Sequence, residues 1–339
     1  HNGRRRQRQM CIRDRLSMFI KIRQGVVLIS VLMIILILSA IGSTLGGDFL
    51  KSLKRSGYLE FQSNSIQLMR NIENLAVERI NQFSKLELQD LNKKSELLTF
   101  PFIYEVNGLT VNANLSDFSS CFNINSLVLE QNQSFIANER AIEQFKRLLI
   151  SLEISEMDTN SIIDQIIDWI DTDDQPRANG FEDYFYTGPI NFRPMYTNKR
   201  LLINLSELNN LPIFKDLTDS MLFENVCVHP LSYSNEVNIN TMDADDNYFL
   251  TSIFPNISLT DAEFIISKIP ENGFKTTDEF ISSFSEFNLS DPHSTIKTSS
   301  KQFLLSTSTQ VDTFSFSSRT FINIKNGRAI IMSRSYNIN

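Results

Sequence analysis

The chain has 339 residues, 42% of them hydrophobic and 21% charged, an ordinary globular composition long enough for two or three domains. Its formal net charge is −7, and removing residues 1–25, with eight basic and one acidic side chains, leaves 24 basic and 38 acidic residues, a net of −14. That excess argues against nucleic-acid binding, which needs clustered Lys and Arg.

Residues 1–17 read as no part of a fold. The run Met10 to Arg15 looks like translated sequencing-adaptor sequence, so the expected start is Met18. Arg23-Gln24-Gly25 closes a short basic leader, and no charge follows until Asp48. A charge-free stretch of that length can cross a hydrocarbon core, which takes about 20 apolar residues as a helix. The basic residues lie on its N-terminal side, so the N-terminus is expected in the cytoplasm and the rest outside it. A secretory signal peptide is cut after its apolar core; here the apolar run starts directly after Gly25. The arrangement resembles the type IV prepilin signal, in which a leader peptidase cuts ahead of the run, here between Gly25 and Val26, and leaves it in the mature protein.

Beyond Gly42, Gly46 and Gly47 the pattern becomes amphipathic, with Phe49, Leu53, Phe61, Ile66, Met69, Ile72, Leu75, Ile80 and Phe83 at three- or four-residue steps. This predicts one helix from 26 to about 88, half in the membrane and half against a soluble domain. Gly42 to Gly46 matches a small-xxx-small packing motif, although glycines near the end of a span also weaken the helix there.

Alternating segments on either side of Asn107-Gly108, Leu98 to Val106 and Leu109 to Asp117, read as a β-hairpin with a tight primed turn. From about Glu130 to Ile281 helical periodicity dominates, with Ser206 and Thr260-Asp261 as plausible caps. Alternation returns after Lys301, with Asn326-Gly327 as a second hairpin turn. The simplest topology is a sheet begun near residue 98, interrupted by a helical insert and completed by the C-terminal strands.

The densest cluster of chemistry is Asp168-Trp-Ile-Asp171-Thr-Asp173-Asp174-Gln-Pro176-Arg-Ala-Asn-Gly180-Phe-Glu182-Asp183. So many carboxylates repel one another unless a cation or basic partner offsets them, and Pro176 and Gly180 can fold the loop back on itself. Hard cations such as calcium take six to eight oxygen ligands from carboxylates and loop carbonyls. The loop is not an EF-hand, because Pro176 stands where glycine is required. A solvated acidic loop capping the preceding helix, or a catalytic pair of carboxylates, fits the same residues.

Asp243, Asp245 and Asp246 precede an apolar helix start and read as N-terminal capping. His229 and His293 stand alone and read as surface or loop residues. Discounting Cys11, Cys121 and Cys227 could form one disulfide in an oxidising compartment or remain two buried thiols. No metalloprotease, phosphate-loop, dinucleotide or nucleophile-elbow pattern is present, so no enzyme is read here.

Four stretches together resemble the minor pseudopilin K family of the bacterial type II secretion system: Arg23-Gln24-Gly25/Val26, Cys121-Phe-Asn-Ile-Asn-Ser-Leu-Val, the acidic loop from Asp168 to Asp183, and Val237-Asn-Ile-Asn-Thr. Leu201-Leu-Ile-Asn-Leu-Ser-Glu-Leu looks like the family's following helix, and the resemblance extends over residues 18–339. It implies an α+β, pilin-like fold, a long N-terminal helix packed on an antiparallel sheet, with a large inserted all-α domain. The boundaries expected are 1–25 leader, 26–47 transmembrane half of the helix, 48–127 first part of the pilin-like domain, 128–285 helical insert and 286–339 C-terminal strands. It also implies calcium in the acidic loop, with Asp168, Asp171, Asp173, Glu182 and Asp183 as candidate ligands.

The implied partners are minor pseudopilins I and J, other pseudopilins, the prepilin peptidase and the inner-membrane secretion platform. The implied setting is a single pass through the bacterial inner membrane, with a periplasmic domain at the pseudopilus tip. Ser30, fifth after the junction, stands where major subunits carry a glutamate that pairs with a neighbour's N-terminus in the membrane; a subunit that joins first can dispense with it. A minor pilin of a type IV pilus, or a signal-anchored periplasmic enzyme, is the alternative.

Overall fold

The computed structural model describes residues 3–83, 91–99, 102–106, 109–189, 194–217, 220–289, 296–311 and 314–338, with side chains from Val26 onward except at 102, 106, 216, 220 and 338. The chain divides into two compact units, residues 1–64 and 65–339. Helix α1, Gly3–Gln82, contributes its first part to one and its last part to the other.

In the first unit the apolar side chains from Val26 onward are exposed, Leu36 at 70% among them. Mean hydropathy reaches 2.8 in this helix, which is long and apolar enough to cross a membrane. Exposed hydrocarbon on this scale is what a lipid-facing surface looks like without its lipid. Ser30 Oγ donates to the Val27 carbonyl at 2.9 Å and Thr44 Oγ1 to that of Ile41 at 2.9 Å, so both hydroxyls are satisfied within the helix. A Cβ added at Gly42 or Gly46 would meet nothing within 4 Å.

In the second unit Leu68, Ile72, Ala76 and Ile80 repeat every four residues along one face of α1 and enter one core with Val111, Leu115, Phe303, Leu305 and Ile322. The sheet consists of β1 Phe102–Val106, β2 Leu109–Asp117, β9 Gln302–Val311, β10 Phe314–Lys325 and β11 Arg328–Ile338, antiparallel in the order β1-β2-β9-β10-β11. Asn326 and Gly327, at φ 54° and 73°, make the hairpin turn between β10 and β11, the left-handed pair that a primed turn requires. The Asn107-Gly108 turn lies outside the described residues. Helix α1 ends at Gln82, short of 88; residues 84–90 are outside the description.

Between β2 and β9 the chain builds a second core, which draws on buried residues from Phe122 to Ile296 and so begins ahead of residue 128. Its helices include α2 Glu139–Ser151, α3 Glu156–Ile170, α4 Asp183–Tyr186, α5 Asn247–Ile253, α6 Leu259–Ser267 and α7 Thr277–Ser283. Hairpin strands β4 Val128–Gln131 and β5 Ser134–Ala137 lead into α2. Two short parallel bridges close the insert: β3 Phe122–Asn123 beside β6 Val226–Cys227, and β7 Val237–Asn238 beside β8 Ile296–Lys297. Two helix caps differ from the sequence reading. Asn204 rather than Ser206, and Ser258 rather than Thr260-Asp261, accept the first free backbone N–H groups, with Glu207 and Asp261 completing capping boxes.

Candidate metal centre

Helix α3 buries Ile162, Ile163, Ile166, Ile167 and Ile170. Asp164 and Asp168, four apart, project from one face of the same helix, at 8% and 0% exposure. The following loop wraps back over that face. Arg177 N–H donates to both Asp168 carboxylate oxygens at 3.3 and 3.1 Å, and Arg177 Nε donates to Asp164 Oδ1 at 2.8 Å. The Asn179 backbone and side-chain amides donate to Asp164 Oδ2 at 3.1 and 2.9 Å. At Gly180 a Cβ would lie 1.9 Å from Asp168 Oδ2 and 3.0 Å from the Asp164 carbonyl. Only a residue without a side chain lets the loop come this close.

The wrap brings Asp168, Asp171 and Glu182 together, each offering an oxygen within 4.8 Å of the others and all three buried. Asp173 stays outside this group: it is exposed, and its Oδ1 accepts the Gln175 N–H at 2.8 Å in a local turn. Asp183 also stands apart. Its Oδ1 accepts from Thr197 N–H and Oγ1 at 2.7 and 2.8 Å, and its Oδ2 lies 3.8 Å from Lys199 Nζ, which also pairs with Asp174. Asp164, Thr197 and Lys199 were not among the residues singled out in the sequence, and Gly180 was read only as a turn former. The four-residue step from Asp164 to Asp168 is the signal that could have found the first.

The triad is electrostatically unfavourable as it stands. Burial pushes the Asp168 carboxyl up to about 6, with Asp164 adding like charge. Burial, then Asp173 and Asp168, push Asp171 to about 7. Burial, then Asp171 and Asp168, push Glu182 to about 8. Asp183 moves the other way, held below the usual carboxylate range by the Thr197 bonds and Lys199. Both Glu182 oxygens and Asp171 Oδ1 are buried without a hydrogen-bond partner among the described residues. Such orphaned acceptors are rare in folded proteins. An all-oxygen set of converging carboxylates fits a hard cation such as calcium.

The other singled-out residues fall as follows. Val26 is exposed and heads the apolar stretch after Gly25. Cys121 and Cys227 form a disulfide with Cα atoms 5.8 Å apart, beside the β3–β6 bridge. His229 is not a surface residue: it is fully buried, its Nε2 lies 2.8 Å from the Phe118 carbonyl, and its ring stacks on Phe321 at 5.4 Å. Nothing local in the sequence marks it, because its partners lie far along the chain. His293 is outside the described residues. Asp243 and Asp246 cap as expected, Asp246 Oδ2 accepting the Asp243 N–H at 2.6 Å.

Residues 120–231 match the first domain of the family described as type II secretion system (T2SS), protein K. The chain is 27% identical over 264 residues to a putative type II secretion system protein K of Escherichia coli strain K12, covering 76% of this chain and 79% of that protein. It is 24% identical over 258 residues to the type II secretion system protein K of Aeromonas hydrophila, covering 74% and 77%. Its fold matches a chain in the crystal structure of the GspK-GspI-GspJ complex of enterotoxigenic E. coli at a TM-score of 0.69 and 18% identity, over 84% of this chain and 99% of that one.

Proposed function

We propose that this chain, which belongs to the type II secretion system protein K family, is a minor pseudopilin that initiates or caps the tip of the secretion pseudopilus. Its role is structural, supporting export of other proteins, and no catalytic residue is assigned. The observation that carries this reading is the interruption of one antiparallel sheet, between Asp117 and Gln302, by a helical insert that holds the family segment. A bulky insert on a pilin-type subunit would obstruct stacking of another above it. Ser30 in place of a charged residue removes the contact that would draw the subunit into a shaft. Both favour the tip.

By this reading α1 anchors the chain in the inner membrane, with its N-terminus in the cytoplasm and residues beyond 47 in the periplasm. The prepilin peptidase cuts after Gly25 and methylates Val26. Pseudopilins I and J, named with protein K in the complex whose fold this chain shares, are its expected partners, with the other pseudopilins and the inner-membrane platform. Calcium is held by Asp168, Asp171 and Glu182, with Asp173 and Asp183 at its margin. It would supply the positive charge that three buried carboxylates lack, making the loop a stable part of the insert. Mass determination of the mature N-terminus tests the core of the proposal. A methylated Val26 is expected, and cleavage after the apolar run overturns it.

A further inference from the structure

Tyr186, at the end of α4, is 1% exposed, and its hydroxyl has no hydrogen-bond partner among the described residues. Its ring is fixed edge-on between Trp169, at 5.1 Å and 73°, and Phe185, at 5.3 Å and 88°. A buried phenol normally finds an acceptor. Four residues earlier, at the extended residue that opens α4, stands Glu182, buried, with neither carboxylate oxygen partnered among the described residues. Burial, and then the charges of Asp168 and Glu182, hold the phenol's ionisation well above its usual value. Asp168 already accepts from the Arg177 N–H. Glu182 has no donor among the described residues.

We propose that Tyr186 is a positioning residue of the cation site, its hydroxyl donating to one Glu182 oxygen while the other faces the ion. This rests on the cation reading given above. A carboxylate has lone pairs enough for a metal and a donor at once, and donors behind metal-ligating groups fix their orientation. A bound cation and the Tyr186 bond would together satisfy four orphaned polar atoms: Asp171 Oδ1, both Glu182 oxygens and the Tyr186 hydroxyl.

The test uses the full chain in detergent, with Tyr186→Phe, which keeps the ring and removes only the hydroxyl. Trp169 is the single tryptophan and lies beside the site, so its sensitised terbium luminescence, competed by calcium, reports affinity. Calcium binding is expected to weaken about tenfold or more, the effect of losing a hydrogen bond to a charged group, while the ion-free Tm stays the same or rises. In the unaltered protein calcium is expected to shift the tyrosine ultraviolet absorbance, a shift absent from Y186F. Equal calcium affinity in the two proteins, or a shift that survives the substitution, overturns the proposal. A wild-type protein that binds neither terbium nor calcium overturns the cation reading itself, and this with it.

Discussion

Asn125 and Asn240 hold the same posture in two parts of the insert. Asn125 Nδ2 donates to the Leu202 carbonyl at 2.9 Å and its Oδ1 accepts the Leu202 N–H at 2.8 Å. Asn240 does the same with Phe274, at 2.9 and 2.7 Å. Each is preceded by an asparagine, Asn123 or Asn238, whose side chain accepts its N–H. Each pair follows or overlaps a two-residue parallel bridge. Two residues beyond the docked backbone stand the helix caps Asn204 and Thr276. The insert therefore uses one local device twice, a side-chain amide imitating a strand edge to fasten a distant helix start.

Because both amides are buried, Asn240→Ala strips partners from a buried N–H and a buried carbonyl at once. The expected cost is about 2–4 kcal/mol, since each unsatisfied buried group costs about 1–3 kcal/mol. Gly273 reinforces the point. It sits at φ 69°, and a Cβ there would come within 2.6 Å of the Asn240 side chain, so Gly273→Ala is expected to destabilise too. Chemical denaturation of both variants measures this. A midpoint equal to wild type for Asn240→Ala contradicts the role assigned to the pair.

Much of this architecture is written locally and much is not. The Asn326-Gly327 turn is visible because short-range geometry demands those residues; the two Asn-Ile-Asn stretches stood out only through the family resemblance, since the backbone that Asn125 and Asn240 dock lies far along the chain. With Cys11 discounted, Cys121 and Cys227 are the two cysteines left, so the sequence offered their pairing, while the choice between a disulfide and two buried thiols depends on the fold. His229 lies in a loop but is buried rather than at the surface: its contacts, the Phe118 carbonyl and the Phe321 ring, depend on how sheet and insert meet. The acidic loop was conspicuous, but spacing alone does not tell that Asp183 turns to Thr197 while Glu182 turns inward. Gly180 read as a turn former, whereas its close approach to Asp168 belongs to the folded loop.

That approach predicts the outcome of Gly180→Ala. The added methyl carbon would lie 1.9 Å from Asp168 Oδ2 and 3.0 Å from the Asp164 carbonyl, so the carboxylate has to leave its place. Loss of the rise in Tm that the proposed calcium site predicts is expected, and a larger loss than for Asp173→Asn, since Asp173 is exposed. Thermal melting with and without calcium compares them, and an undiminished response in Gly180→Ala refutes the geometry.

The pH dependence of the ion-free protein has a defined sign. Asp168, Asp171 and Glu182 are raised to about 6, 7 and 8 in the fold, above about 4 for unfolded carboxyls. The folded state therefore binds more protons between these values, and this contribution to stability is full below pH 4 and lost as pH rises through 6 to 8. Ion-free protein should be more stable at pH 5 than at pH 8, by on the order of a few kcal/mol. Calcium, which needs the ionised carboxylates, should stabilise more at pH 8 and release protons on binding. Denaturation series at both values, with chelator and with calcium, check it; a flat ion-free profile counts against a coupled buried triad.

Glu73 makes the clearest case outside the insert. It lies on α1 at 1% exposure and reaches Arg334 Nε and Thr320 Oγ1, each at 2.7 Å. Thr320 and Arg334 face each other across β10 and β11, so one carboxylate fastens both strands to the helix. Arg334 is itself 40% exposed, and removing it leaves a buried charge with one hydroxyl. Arg334→Ala is expected to destabilise by about 3 kcal/mol, the range for breaking a buried pair. Glu73→Gln, which keeps an acceptor for Thr320 and removes the charge, should be milder. In the double variant the arginine's absence should matter less, because no charge remains to be stranded. Strictly additive costs across this cycle would show that Glu73 and Arg334 act independently.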